Sequence, residues 1–235
     1  MRTKLALFSA LFFLAVLAAY PQSSFLKTGQ TGFGISGAFI RNSDASGFSG
    51  TAGAALSGIF DLSLSVGRAS YDPGVFGEVV DLKATSIATE IRAFVVKQNS
   101  STAPVTVSIS VGYANDRFSS PDFIPTSTIM RAQSLLFGGT VSRDVPVFDK
   151  AYIQPYFGLG YTSTTLKLSD PSGLTLSTTD GLVGLNIGVP LVYGLSERAL
   201  VVFQPGLSHG LAKGKDITTF SVSLGLVIAL TKPKS

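Results

Sequence analysis

The chain has no cysteine, and only 14% of its 235 residues are charged. The lack of cysteine excludes disulfides, thiolate metal sites and a lipid-bearing N-terminal cysteine, and it therefore excludes a lipoprotein. Soluble domains carry about a quarter of charged residues, so the small charged fraction indicates a protein that meets little bulk water. A mean hydropathy of +0.40, which is high for a soluble chain, also indicates little contact with bulk water.

Long apolar runs are also missing after residue 20, although a membrane-spanning helix needs roughly 18 consecutive apolar residues. Helical spans are therefore excluded for the mature chain. The 18 basic residues against 14 acidic ones include Arg2 and Lys4 near the N-terminus, which leaves 16 against 14 in the rest of the chain. Because these residues form no basic cluster, the sequence argues against a nucleic-acid partner.

The N-terminus combines two positive charges with one apolar run from Leu5 to Ala19, interrupted only by Ser9. Small residues at Ala18 and Ala19 suit cleavage by a signal peptidase. The pattern predicts a signal peptide over residues 1–20 and a mature domain over residues 21–235. A retained anchor helix is the alternative, but the run is shorter than a span needs.

In the mature chain, apolar and small polar residues alternate with a period of two in about ten segments, most of them near the roughly 9 to 11 residues of a tilted transmembrane strand. The clearest segments are 105–113 and 220–230, where Val, Ile, Leu, Phe and Tyr occupy one face, and the interleaved residues are Ser, Thr and Gly in the first segment and begin with Ser and Gly in the second. The pattern predicts an all-β fold, a closed antiparallel up-and-down transmembrane β-barrel of about ten strands. Eight strands plus a peripheral hairpin are the alternative.

The connections between these segments can be sorted to two ends of the barrel, because outer-membrane barrels have short periplasmic turns and longer external loops. With the first strand starting at the periplasm, three of the five outer connections are longer than any inner one. The inner connections are 60–61, 97–104, 144–150 and 194–198, and the outer ones are 41–47, 70–81, 115–130, 167–180 and 209–216.

From Thr31 to Leu230 the alternating pattern resembles the OmpA-like family of small outer-membrane barrels. The resemblance implies a bacterial outer-membrane location, a lipid and lipopolysaccharide environment, and insertion by the barrel assembly machinery. It also implies a closing strand that ends in a C-terminal aromatic residue, whereas this chain ends its last segment at Ala229-Leu230 and continues for five residues.

The apolar face is expected to meet lipid. A secreted lipocalin-like carrier would alternate equally well with its apolar side inward. However, the polar side consists mostly of Gly, Ser, Thr and Ala, which is too poor in charge for a soluble exterior. Charge exposed at the bilayer midplane would cost about 2 to 4 kcal/mol, so a small polar face suits a lumen.

A charged pair is predicted inside the barrel, because Glu90 and Arg92 are two residues apart on the polar face of the fourth segment. Such neighbours lie about 7 Å apart, within reach of each other's long side chains. The pair is interpreted either as a charged constriction that selects solutes or as a structural ion pair that fills a narrow interior. Three further polar residues have inward parity: Gln154, Asn186 and Gln204.

The remaining candidates lie near the outer rim. His209 is the single histidine and the one residue to consider for a catalytic base, although no recognisable motif surrounds it. Four basic residues are candidates for contact with lipopolysaccharide phosphates: Arg68, Arg131, Lys213 and Lys215. We predict no catalytic residue, metal or cofactor, and a non-enzymatic structural or surface role in which outer loops contact an extracellular ligand. A narrow pore or transporter for small or apolar solutes is the alternative, and a lipid-modifying enzyme that uses His209 is a third function class.

Overall fold

The computed structural model describes residues 25–71, 82–99, 103–119, 129–170, 172–212 and 215–231, so the predicted signal peptide lies outside the described residues. No helix among the described residues is long and apolar enough to cross a membrane. The strands are β1 Gly32–Arg41, β2 Ala45–Leu56, β3 Phe60–Tyr71, β4 Leu82–Val96, β5 Thr106–Ser119, β6 Ile129–Ser142, β7 Val145–Phe148, β8 Ala151–Ile153, β9 Tyr156–Ser169, β10 Thr175–Gly188, β11 Leu191–Gly194, β12 Ala199–Ala212 and β13 Lys215–Ala229.

Ten of these strands close into an antiparallel ring, in the order β10-β9-β6-β5-β4-β3-β2-β1-β13-β12, and pairing of β10 with β12 completes it. The predicted count of about ten strands is therefore confirmed. Because a closed sheet leaves no edge, it can satisfy its backbone hydrogen bonds within hydrocarbon. Gly32 pairs with Ala229, so the barrel starts and finishes at one end, the terminal end. The opposite end, where β3 ends at Tyr71 and β4 begins at Leu82, is the loop end.

The three short strands β7, β8 and β11 extend the barrel wall at the terminal end. Ser142 pairs with Tyr156, and Val145 then pairs with Ile153 in the same register. The ladders of β10 with β9 and of β11 with β8 also share one register. Pro155 and Pro190 lie at the two breaks, and proline cannot donate to a ladder. The predicted inner connection 144–150 is too long, because β7 occupies residues 145–148 and the turn itself lies at residues 149–150.

Several other predicted connections are also misplaced. The first inner turn lies at Ser57 and Gly58, which have φ values of 54° and 60°, and not at 60–61, where β3 has already begun. The predicted outer connections 167–180 and 209–216 are largely strand, because β9, β10, β12 and β13 run further towards the loop end. The predicted connection 115–130 is too long, because residues 115–119 belong to β5 and residues 129–130 to β6.

The two faces of the wall are those predicted. Ile91, Val111 and Leu224 are 60%, 49% and 59% exposed on the outside, and intervening residues of the same strands point inward and are buried. A closed barrel with an apolar exterior is the architecture of a bacterial outer-membrane protein. In the described part of the chain the large alternating apolar side chains face outward, which is the reverse of a lipocalin-like carrier.

The lumen of the loop end is filled by apolar side chains. Tyr71 and Phe118 face each other there, with ring centroids 6.0 Å apart. They belong to a buried cluster, the loop-end cluster, which also contains Ile40, Leu82, Met130, Leu136, Leu166, Leu182 and Ile217. A second, smaller cluster lies at the terminal end. The polar luminal residues lie between the two.

Candidate functional site

A buried ion pair occupies the middle of the lumen. The Arg92 guanidinium donates to Glu90 Oε1 through Nη2 at 2.7 Å and through Nε at 3.1 Å. The two side chains are only 8% and 7% exposed. Both point inward because alternate residues of β4 share a face. On the neighbouring strand β3, Asp61 lies directly opposite Arg92, and its carboxylate is a second negative charge near the guanidinium.

The predicted polar residues line one small cavity with this pair. Gln154, Asn186 and Gln204 all border the cavity, whose volume is about 40 Å³. A space of that size accommodates about two or three water molecules. The structure therefore brings together all five residues that parity assigned to the lumen, and their role stays a prediction. We name this set, with Asp61 and Tyr156, the luminal polar layer.

Tyr156 is a luminal residue that the sequence reading did not single out, although its inward parity on β9 was available. Its hydroxyl accepts a hydrogen bond from Gln204 Nε2 at 3.4 Å. The ring lies over two glycines. A Cβ on Gly188 would come within 2.6 Å of the ring, and one on Gly206 within 3.0 Å of the hydroxyl. At Gly188 the same Cβ would also come within 2.7 Å of the Pro205 carbonyl oxygen, so a side chain has no room there, whereas the contact at Gly206 is only tight.

The segment Phe25–Gln30 closes the terminal end of the lumen, and we call it the N-terminal plug. Phe25 and Leu26 are 6% and 4% exposed and pack in the terminal-end cluster with Val192, Val202 and Val227. Lys97 Nζ donates to the Leu26 carbonyl at 2.8 Å, and the Gly29 amide donates to the Ser57 carbonyl at 2.8 Å. The strand pattern could not predict this plug, since the segment has no alternation of its own.

Beyond the plug lies a wider recess of about 660 Å³, which is lined by Lys97, Asp144, Glu197 and Arg198 among others. Burial lowers the pKa of Lys97 to about 8, although the charges of Asp61 and Asp144 favour its protonated form. Burial also raises the pKa of Asp144, against the opposing effects of the hydrogen bond from Gln154 and the charge of Lys97. The recess is therefore a place where folding and protonation are coupled.

Lys97 makes the stability of the barrel depend on pH. Its folded pKa of about 8 lies below the ordinary lysine value of 10.5, so between these values the unfolded chain binds more protons. We expect the free energy of unfolding to rise by about 2 kcal/mol between about pH 8 and pH 9.5. Urea titrations in lipid vesicles should detect this rise, and Lys97→Met should remove it. An equal rise in Lys97→Met, with Lys150→Met as the control, contradicts the assignment.

The rim candidates are separate from the luminal polar layer. His209 lies on the outer face of β12, where Nδ1 is 3.0 Å from Thr218 Oγ1. Among the described residues, no group of three or more His, Cys, Asp or Glu could hold a metal ion. Lys213 lies outside the described residues, as do connections 72–81 and 120–128, and Lys215 begins β13 with its side chain not described.

Arg68 and Arg131 are exposed on the outer face near the loop end. Two further cations, Arg117 and Lys167, flank Arg131 on the adjacent strands. The sequence reading missed both because it placed residues 115–130 and 167–180 in loops. Both residues could have been identified from the alternation of the strands, which continues through them and places them on the outer face.

No family model and no curated protein matches the chain. Among solved structures it is similar to the translocator domain of the autotransporter NalP from Neisseria meningitidis, with a TM-score of 0.61, 12% identity and coverage of 97% of both chains. It also matches the outer membrane protease OmpT from Escherichia coli, with a TM-score of 0.42, 11% identity and coverage of 86% of this chain and 95% of that one. Ail, the attachment invasion locus protein of Yersinia pestis, gives a TM-score of 0.42, 12% identity and coverage of 87% and 100%. The first of these similarities supports the outer-membrane barrel fold.

Proposed function

We propose that this protein is a non-enzymatic outer-membrane barrel whose working surface is its outside, in a structural or surface-interaction role. The observation that carries the proposal is the filled lumen. The loop-end cluster, the luminal polar layer and the N-terminal plug follow one another along the barrel axis. A barrel packed in this way has little room for solutes, so its exterior and its outer connections are left to contact partners.

The ion pair fits this proposal as a structural element. A charged constriction needs water on both sides of its charges, whereas Glu90 and Arg92 are buried beside a cavity of about 40 Å³. The two charges neutralise each other, since Arg92 Nη2 lies 2.7 Å from Glu90 Oε1. Insertion by the barrel assembly machinery and contact of an extracellular ligand with the outer connections are parts of the same proposal.

Single-channel recording of the refolded protein in planar bilayers tests the proposal. We expect no conductance steps from the wild-type protein. We also expect none from Phe25→Ala combined with Leu26→Ala, because the loop-end cluster still fills the other end of the lumen. Gel mobility with and without heating serves as the control that each protein is folded. Reproducible unitary steps from the folded wild type would replace the proposal with the pore alternative.

A further inference from the structure

Four cations lie at one level on the outside of the barrel near the loop end. The ladder partners run from Arg68 on β3 through Thr85 on β4 to Arg117 on β5, Arg131 on β6 and Lys167 on β9. All four cationic residues are exposed. We name them the basic row. Since neighbouring strands are about 4.8 Å apart, the row spans an arc of about 20 Å.

The basic row places like charges directly opposite one another on neighbouring strands. Arg117, Arg131 and Lys167 are immediate neighbours, an arrangement that destabilises a sheet. Among the described residues, no carboxylate makes an ion pair with any member of the row. A bound anion would relieve this repulsion, and arginine is well suited to phosphate because it donates two parallel hydrogen bonds.

Directly towards the terminal end, the same strands carry a second, uncharged row of ladder partners: Asn115, Gln133, Thr165 and Thr179. Gln133 Nε2 donates to the Tyr113 hydroxyl at 3.0 Å, and the hydroxyls of Thr165 and Thr179 are 2.9 Å apart. We name it the polar row. It lies about 7 Å from the basic row along the strands.

Beneath the polar row, the outer surface becomes aromatic and then apolar. On β5 the next outward residue after Asn115 is Tyr113, which is 41% exposed. Val111, Phe137 and Val183 lie one outward step further towards the terminal end and are 49%, 51% and 46% exposed. Aromatic residues mark the boundary between headgroups and hydrocarbon in such barrels. The order along the wall is therefore cation, hydrogen-bonding group, aromatic ring and apolar surface.

We propose that the basic and polar rows bind the phosphorylated sugar headgroup of a glycolipid in the outer leaflet. Arg117, Arg131 and Lys167 bind its phosphate, while Asn115 and Gln133 bind sugar hydroxyls. The acyl chains then lie along the apolar surface below. Charge complementarity selects this occupant over an uncharged lipid, and the polar row selects it over a phospholipid. The inference rests on the proposed function, in which the outside of the barrel makes the contacts.

The test uses the refolded mature protein in neutral detergent micelles and a fluorescent lipid A that carries its phosphates. We expect saturable binding that weakens about tenfold or more with dephosphorylated lipid A, because charge-assisted hydrogen bonds are lost. Arg117→Gln, Arg131→Gln and Lys167→Gln combined should have the same effect. The matched control is Arg143→Gln, Lys150→Gln and Arg198→Gln combined, which removes equal charge at the terminal end and should bind as the wild type does.

Three outcomes overturn the inference. Equal weakening by the control variant means that binding follows net charge alone. Equal affinity for an anionic phospholipid, or complete competition by inorganic phosphate at the concentration of the lipid, means that the sugar makes no contribution. Failure of the inference leaves the proposed function intact if the bilayer recordings stay silent, so the two are tested separately.

Discussion

Replacement of Glu90 by Gln is expected to lower the free energy of unfolding by about 3 to 5 kcal/mol. The substitution keeps the shape of the side chain and leaves the Arg92 charge in the lumen without the carboxylate that now accepts two of its hydrogen bonds. Asp61 remains opposite Arg92 and limits the loss. Breaking one partner of a buried pair costs more than the pair contributes, because the remaining charge stays away from water.

Two companion variants separate charge from packing. Glu90→Asp keeps the charge and should cost less than Glu90→Gln. Glu90→Gln with Arg92→Met removes both charges and should also cost less than the single variant, since buried ion pairs replaced by neutral groups are often close to neutral in stability. The chain has no tryptophan, so unfolding in urea is followed by circular dichroism and by gel mobility. A cost below about 1 kcal/mol for Glu90→Gln would show that Arg92 does not depend on this carboxylate.

The inward position of Glu90 and Arg92 could be predicted because a period of two assigns a face to every residue of a strand once one face is recognised. The same rule gave the ten strands of the ring. It required contrast between the faces, which residues such as Val107, Ile109 and Val111 provide beside serines and glycine. The strands can therefore be predicted from the sequence wherever their outer face meets hydrocarbon.

Contrast disappears where the outer face meets headgroups. Asn115 and Arg117 continue the outward parity of β5, yet they are as polar as loop residues, so the sequence predicts that the strand ends before them. At two prolines the error is the opposite one, because the sequence predicts a continuous strand where the structure has a break. Pro155 and Pro190 interrupt ladders whose register continues beyond them, so unbroken alternation concealed two breaks. The N-terminal plug is held by contacts distant in sequence, which no local pattern encodes.

The apolar band on the outside of the barrel leads to the second large effect. Phe137 is on the outer face of β6, with Val111 and Tyr161 as its ladder partners. Phe137→Arg should reduce the free energy of unfolding in lipid vesicles by about 2 to 4 kcal/mol, because a cation is then exposed at bilayer depth. The measurement is equilibrium unfolding by urea, with folded and unfolded chains separated by gel mobility.

The matched control is Gln133→Arg, on the same strand and the same face but in the polar row. Near the interface the same side chain costs only about 0 to 1 kcal/mol, because it reaches water and phosphate. The difference between the two variants therefore measures where hydrocarbon ends on β6. Equal costs for Phe137→Arg and Gln133→Arg would contradict the assigned depth and, with it, the placement of the polar row among headgroups. A larger cost at Phe137 supports both.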